Sequence, residues 1–566
     1  MTKKRALLVA LLSFAVLVAA IIAAVYVYLA PSNTKRELSE QYKDLPGDQL
    51  LIVVDNKVTG SRALLREGHV YVPLETVSQS FNKRFFWDNK EKILTYVLPD
   101  GVVSTGVNTE RYTVGLSQER AEAAIVIQEE KVTYILVDFI KKYSPMEYQI
   151  YKNPGRLVTI SDFENPQNFV VLGSSARLRV GPNKKYDYLI ELEKGQKLYF
   201  DPEGKIENGY YKVMTLEGIE GYIPETSVDS QIEETASTEY EEPIFKQTKF
   251  AERVCLAWHQ VTNQATNAYL SNAISGMRGV NVISPTWLSL SDNKGNFTSL
   301  ASETYVREAH NAGLKVWVLV DDFNKKVKLN RLLSRTSTRQ KLINNLVGTA
   351  IQYGVDGINI DFERVTEESS AAYLEFLREL SLKCRSNQLV LSVDNYMPKN
   401  YNAFYDCAEQ GKVVDYVIFM GYDEHYAGSE EAGSVSSIGF VQEGLETALQ
   451  MIPKERVVMA LPFYTRLWKE KKMSGRTKVT SEAYGMDSAE QIVKDNGGLA
   501  KWDDTTGQYY AEFKSNKEVC KIWLEEEKSL ELKMQTVTAK DVAGLAFWKL
   551  GFERDSIWDV VEKYLK

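Results

Sequence analysis

The chain has 566 residues, more than one hydrophobic core organises, and its 44% hydrophobic and 25% charged content is that of a globular protein with several domains. A formal net charge of -8 argues against nucleic acid as a partner, since phosphate binding needs clustered Lys and Arg. Four cysteines (Cys255, Cys384, Cys407, Cys520) without a CxxC pair, and only four histidines, argue against a structural zinc centre and a disulfide scaffold, and no metal site is expected; Cys255, in an apolar run, is expected to be a buried thiol.

The first predicted element is an N-terminal transmembrane helix. Lys3, Lys4 and Arg5 precede an uncharged run from Ala6 to Ala30. About 20 apolar residues span a bilayer as a helix, and this run is longer than the apolar region of an ordinary secretion signal. Tyr28 and Leu29 make a poor cleavage point before Pro31, so residues 1–30 are read as a cytoplasmic tip and uncleaved anchor rather than a removed signal peptide, after whose removal the chain would be secreted. Positive charge on the short N-terminal side places that end in the cytoplasm and the rest of the chain outside the cell membrane.

A strand-rich module follows over 50–163, built on LLIVVDNKV, HVYVPLETV, RFFWDNKEKILTYVL, AAIVIQ and VTYILVDFI, with Pro73 joining a short strand to a helix. VDNKV, HVYVPLETVSQSF and FFWDNKEKILTYV resemble the N-terminal stalk-like domain of copper amine oxidases. The resemblance implies a small α+β spacer or interaction module; with His69 as its sole histidine, nothing in it points to copper. Residues 168–229 carry short strands broken by Gly and Pro turns, and LRVGP, LEKGQ, YYKV and GYIP resemble a bacterial SH3-type domain, a small SH3-like β-barrel. Tyr186, Tyr188, Tyr210 and Tyr211 are read there as core and rim residues rather than a ligand groove. The stretch 230–248, opening with the acidic QIEETASTEYEEP, lacks apolar periodicity and is expected to be a solvated linker.

From 249 to 566, eight apolar runs alternate with helix-like segments: RVCLAWHQV, VNVISPTWLSL, KVWVLVDDF, GINIDFE, LVLSVDNYM, DYVIFMGYD, RVVMALPFY and AGLAFWKL. TSTRQKLINNLVGTAIQYG and SAAYLEFLRELSLKCRS are two of the helices between them. The pattern predicts a C-terminal α/β TIM (β/α)8 barrel with room for insertions. A doubly wound sheet is the alternative, and the lack of a glycine-rich loop after the first strand counts against it.

Within the fourth run, GVDGINIDFERV sets Asn359, Asp361 and Glu363 at every second position, with Ile358, Ile360 and Phe362 between them. Successive strand side chains point to opposite faces, so the polar set shares one face, each about 6.6 Å from the next. In a barrel that face points inward and Glu363 reaches the C-terminal rim, where barrel enzymes build their sites. In a half-exposed antiparallel strand it would merely be wet.

DGINIDFE resembles the catalytic strand of glycoside hydrolase family 18, the chitinase-like barrels, whose pattern D-G-x-D-x-D-x-E is met by Asp356, Gly357, Asp361 and Glu363. FMGYD (Phe419–Asp423), ALPFYTRLW (Ala460–Trp468) and LAFWKLG (Leu545–Gly551) fit the family's sixth, seventh and eighth strands. VISPTWLSL and the attached modules resemble the spore-cortex and cell-wall N-acetylglucosaminidase branch. The resemblance implies substrate-assisted retaining hydrolysis, in which the sugar's own 2-acetamido oxygen attacks the anomeric carbon. In that scheme Glu363 is the general acid and then base, Asp361 orients the acetamido N–H, and Tyr422 hydrogen-bonds the acetamido oxygen. Asp423 helps hold that group and Trp548 floors the reacting sugar; no cofactor is implied, and Tyr396 and Tyr464, which follow the fifth and seventh strands, are expected to border the cleft.

The family often has Asp where this chain has Asn359. The amide is expected to donate a hydrogen bond to Asp361 and keep it ionised over a wider pH range. Trp258, Trp287 and Trp317 are each read as sugar platforms or barrel core, and Asp321 and Asp322 as rim ligands or helix caps. His259 and His425 lie near strand ends without a nucleophile motif. Two function classes stand: a membrane-anchored glycosidase acting on N-acetylglucosamine polysaccharide (peptidoglycan first, chitin second), and a lectin-like binding protein on an inactive barrel.

Overall fold

The computed structural model describes residues 2–42, 45–250, 252–473 and 476–565. Residues Thr2–Leu29 form one helix, long and apolar enough to cross a membrane by length and composition. Its Leu-, Val- and Ala-rich sequence has no breaker before Pro31, and the residue preceding a proline is disfavoured in helix.

The chain divides into two compact units: residues 1–85, 105–112 and 118–242, and residues 86–104, 113–117 and 243–566. In the first unit, a seven-stranded sheet links segments of 49–73 with segments of 126–160, and the helix Leu74–Ser80 follows Pro73 as expected. Ile52, Val53, Val72 and Leu157 are buried in its core. A second, antiparallel seven-stranded sheet spans 167–234 and packs Val170, Leu178, Leu189, Leu198, Val213 and Ile223 together. Its last strand, Val228–Glu234, pairs with Gln167–Leu172. The opening of the expected linker is therefore sheet: Ile232 sits opposite Phe169 and packs on the cluster of Phe169, Tyr199 and Met214.

The second unit contains a closed barrel of eight parallel strands. We number them β1 (Val254–His259), β2 (Val282–Pro285), β3 (Lys315–Asp321), β4 (Gly357–Asp361), β5 (Val390–Tyr396), β6 (Tyr416–Met420), β7 (Val457–Pro462) and β8 (Gly544–Trp548). β1 pairs with both β2 and β8, and β2 closes on β3. The strands read as apolar runs because both faces are covered, by helices outside and by side chains filling the barrel inside. Two of the outer helices are α1 (Thr336–Tyr353) and α2 (Glu367–Ser386). Between β7 and β8 the chain inserts a five-stranded antiparallel sheet (strands within 464–524) with the helix Met486–Asp495.

The D-G pair that opens the motif is structural. Asp356 accepts hydrogen bonds from the Val316 N–H (2.9 Å), Lys315 Nζ (2.9 Å) and His310 (2.7 Å), which ties the start of β4 to β3. Gly357 is required because a Cβ there would lie 2.7 Å from the Trp317 ring. Trp317 is fully buried and stacks on Tyr416 at 5.6 Å, so it is barrel core and not a sugar platform.

Residues 86–104 belong to this unit although they lie far upstream in sequence. The strands Phe86–Asp88 and Ile93–Leu98 form a hairpin against α1 and α2. Asp88 accepts the Thr336 N–H (2.6 Å) and Glu91 the Ser337 N–H (2.9 Å), capping α1, whose own flanking residue Arg335 makes no side-chain cap. Thr95 donates to the buried Glu375 of α2 at 2.5 Å.

Candidate active site

The alternation in β4 does what its period requires. Ile358, Ile360 and Phe362 point into the helix layer, where the Phe362 ring stacks on Phe376 of α2 at 5.8 Å. Asn359 and Asp361 point into the barrel and are buried. The strand itself stops at Asp361, two residues short of Glu363. The reason is Asp322, just past β3: its Oδ1 accepts the Glu363 N–H (3.1 Å) and its Oδ2 the Arg364 N–H (3.1 Å). These backbone groups leave the ladder for a carboxylate, and the turn lifts Glu363 to the rim. Burial, the dominant effect, raises the Asp322 carboxyl to about 6. Asp322 is thus neither rim ligand nor helix cap, while Asp321 lines the cleft and accepts from Ser289 Oγ (2.8 Å) and the Phe323 N–H (3.0 Å).

Seven of the eight expected site residues meet at one cleft of about 380 Å³ at the C-terminal mouth: Asp361, Glu363, Tyr396, Tyr422, Asp423, Tyr464 and Trp548. That size is ordinary for a small-ligand site. Tyr396, the last residue of β5, donates its hydroxyl to Glu363 Oε2. Burial raises the Glu363 carboxyl, the Tyr396 hydrogen bond opposes this, and the charges of Asp423 and Asp321 raise it further. Tyr464, at the start of the inserted sheet, reaches back to donate to Asp423 Oδ1 at 2.6 Å. Tyr422 is buried beside Tyr464, their rings edge-on at 6.2 Å. Trp548 lies 5.9 Å from Trp258, ring to ring, and Trp258 and Trp287 also line the cleft.

The eighth expected residue, Asn359, lies beneath the cleft, fully buried. Its amide does not donate to Asp361. Asn359 Oδ1 accepts from Trp258 Nε1 (3.0 Å) and Ser284 Oγ (3.2 Å), and Nδ2 donates to Ser392 Oγ (3.0 Å) and Asp394 Oδ1 (2.8 Å). The expectation of a readily ionised Asp361 is reversed as well. Burial first, then the charges of Asp394, Glu363, Asp321 and Asp322, push its carboxyl well above the usual range.

Asp394 was not singled out by the sequence. It is 2% exposed and lines the cleft. The signal was present in SVDNY, where Ser392, Asp394 and Tyr396 repeat the alternation of β4. His259 pairs with the Tyr305 hydroxyl (2.9 Å) and His425 with the Ser434 carbonyl (2.9 Å), and burial lowers His259 to about 4. Neither meets a nucleophile. All four cysteines are buried free thiols.

Comparison with known proteins agrees with this geometry. The sequence model for glycosyl hydrolases family 18 matches residues 221–553, and that for the copper amine oxidase N-terminal domain matches residues 53–158. The uncharacterized glycosylase YvbX of Bacillus subtilis is 28% identical over 265 residues, covering 45% of this chain and 76% of that protein. The cortical fragment-lytic enzyme of Bacillus anthracis is 26% identical over 246 residues, covering 42% of this chain and 56% of that protein, so the chain spans about half the length of that relative. Among solved structures, the spore cortex-lytic enzyme SleL of Bacillus cereus superposes with a TM-score of 0.50 at 20% identity, covering 60% of this chain and 78% of its own, a likeness of fold.

Proposed function

Because the chain belongs to glycosyl hydrolase family 18, we propose that it hydrolyses β-linked N-acetylglucosamine polymers by substrate-assisted catalysis with retention. The observation that carries the reading is Glu363 at the mouth of the barrel, in one cleft with Asp361 and with walls of Trp and Tyr. A carboxyl raised by burial is suited to hold a proton and deliver it.

Glu363 gives its proton to the glycosidic oxygen as the bond to the anomeric carbon breaks. The carbonyl oxygen of the 2-acetamido group attacks that carbon and closes an oxazolinium ring. Asp361 accepts the acetamido N–H and balances the positive charge; Tyr422 donates to the acetamido oxygen. Asp423, held by Tyr464, lies beside the same group, and Trp548 supports the sugar ring. Glu363, now a carboxylate, takes a proton from water as the water opens the ring. Donors and acceptors fixed in advance favour the transition state over the bound substrate.

Peptidoglycan is the preferred polymer and chitin the second. The N-terminal helix acts as an uncleaved anchor, and the 168–229 module acts as an SH3-type domain beside the wall. Support comes from the apolar helix Thr2–Leu29 and from relatives named for cortical fragments. The test compares full-length protein in detergent micelles with Glu363→Gln on purified peptidoglycan and on chitin. New reducing ends from the parent, absent with Glu363→Gln, are expected. Binding of either polymer without release by the parent protein overturns the reading in favour of a lectin-like barrel.

A further inference from the structure

Two buried carboxyls stand side by side on β4 and β5. The register pairs Asn359 with Ser392 and Ile360 with Val393, so Asp361 and Asp394 stand level on adjacent parallel strands, about 4.8 Å apart in backbone. Both are buried. Their surroundings are acidic or phenolic: Asp321 ending β3 and Asp322 just past it, Glu363 beyond β4, Tyr396 ending β5, and Tyr422 with Asp423 beyond β6, with the Tyr373 phenol behind. Among the described residues lining the cleft there is no Lys or Arg.

Neighbouring buried carboxyls in such a setting do not both ionise; they hold one proton between them. The hydrogen bonds say where it rests. Asp394 Oδ1 receives the Asn359 amide at 2.8 Å, whereas Asp361 Oδ1 is buried with no hydrogen-bond partner among the described residues. This arrangement favours the charge on Asp394 and the proton on Asp361. Asn359, its other three hydrogen bonds committed to Trp258, Ser284 and Ser392, is fixed to serve Asp394 alone.

We propose that Asp394 is a positioning residue that works through Asp361: it takes the proton of Asp361 when the substrate's acetamido N–H arrives, and so supplies from the neighbouring strand the second acid that Asn359 lacks. One O–H bond breaks on Asp361 and one forms on Asp394; the pair keeps a single negative charge, which moves to the carboxylate that faces the sugar. This role rests on the hydrolytic reading above.

The test is the pH dependence of kcat/KM on a fluorogenic di-N-acetylchitobioside for wild type, Asp394→Asn and the swap Asn359→Asp/Asp394→Asn. In the pair the first ionisation falls on Asp394, which the Asn359 amide stabilises; in Asp394→Asn the single charge must form on the buried Asp361 instead, so the acid limb moves up by about one pH unit or more. The swap returns an acid to the pair and moves the limb back towards wild type. An acid limb in Asp394→Asn that superposes on wild type overturns the proposal while leaving hydrolysis intact; absence of Glu363-dependent hydrolysis in wild type overturns the hydrolytic reading instead. Should Asp394→Asn fail to fold, infrared difference spectra of Glu363→Gln on adding tri-N-acetylchitotriose decide. A shift of a protonated-carboxyl band, lost on further substituting Asp361→Asn, supports proton transfer, and a spectrum without any such band overturns it.

Discussion

Asp322 holds Glu363 by its backbone rather than its side chain, accepting the Glu363 N–H at 3.1 Å from a site 1% exposed. Its carboxyl moves from 3.8 to about 6, chiefly through burial. A carboxyl raised in the folded state contributes stability that is complete below its unfolded value and is lost as pH rises through the folded one, so the window here is about pH 4 to 6. A rise of roughly two units is worth about 3 kcal/mol. In Asp322→Asn, which does not titrate, thermal unfolding should show wild type losing that much relative to the variant between pH 4 and pH 7. A gap that stays constant across the window contradicts the assignment.

Tyr396→Phe removes the phenol that stabilises the Glu363 carboxylate. A hydrogen bond to a charged group contributes about 1.5–3 kcal/mol, so Glu363 should keep its proton to higher pH. The basic limb of the kcat/KM profile is expected to move up by about one unit. A downward shift, or none, would show that the phenol does not govern this carboxyl.

Asp88→Ala uncaps α1, whose first N–H groups rely on a hairpin from far upstream. Loss of such a cap costs about 0.5–2 kcal/mol, and Asp88→Asn should cost less. Chemical denaturation reads both, and equal stability of Asp88→Ala and wild type rules the cap out.

Full-length protein should remain with the membrane fraction after high salt and leave it in detergent, and deleting residues 1–30 should make it soluble without either. Release of the full chain by salt alone would mean surface adsorption, not a spanning helix.

Much of the site was legible because the polar face of β4 recurs with a period of two, and because barrel chemistry gathers at the strand ends. The direction of Asn359 was not legible. Its partners Trp258, Ser284, Ser392 and Asp394 lie on β1, β2 and β5, and which of them an amide meets depends on strand register, which local pattern does not carry. Asp394 escaped notice for the same reason: in LVLSVDNYM a lone acid amid apolar residues becomes significant only once it stands level with Asp361. The capping of α1 by Asp88 was equally hidden, since the two are joined by fold alone and separated by 248 positions in sequence.

The hairpin on α1 and α2 bears on how this architecture can be shuffled. A gene segment cut at the acidic stretch would carry eight strands and their helices yet leave Glu375 without its threonine and α1 with bare amides. A graft of the barrel cut at that junction forgoes the Asp88 and Glu91 caps and the Thr95 hydroxyl unless the upstream ribbon travels with it.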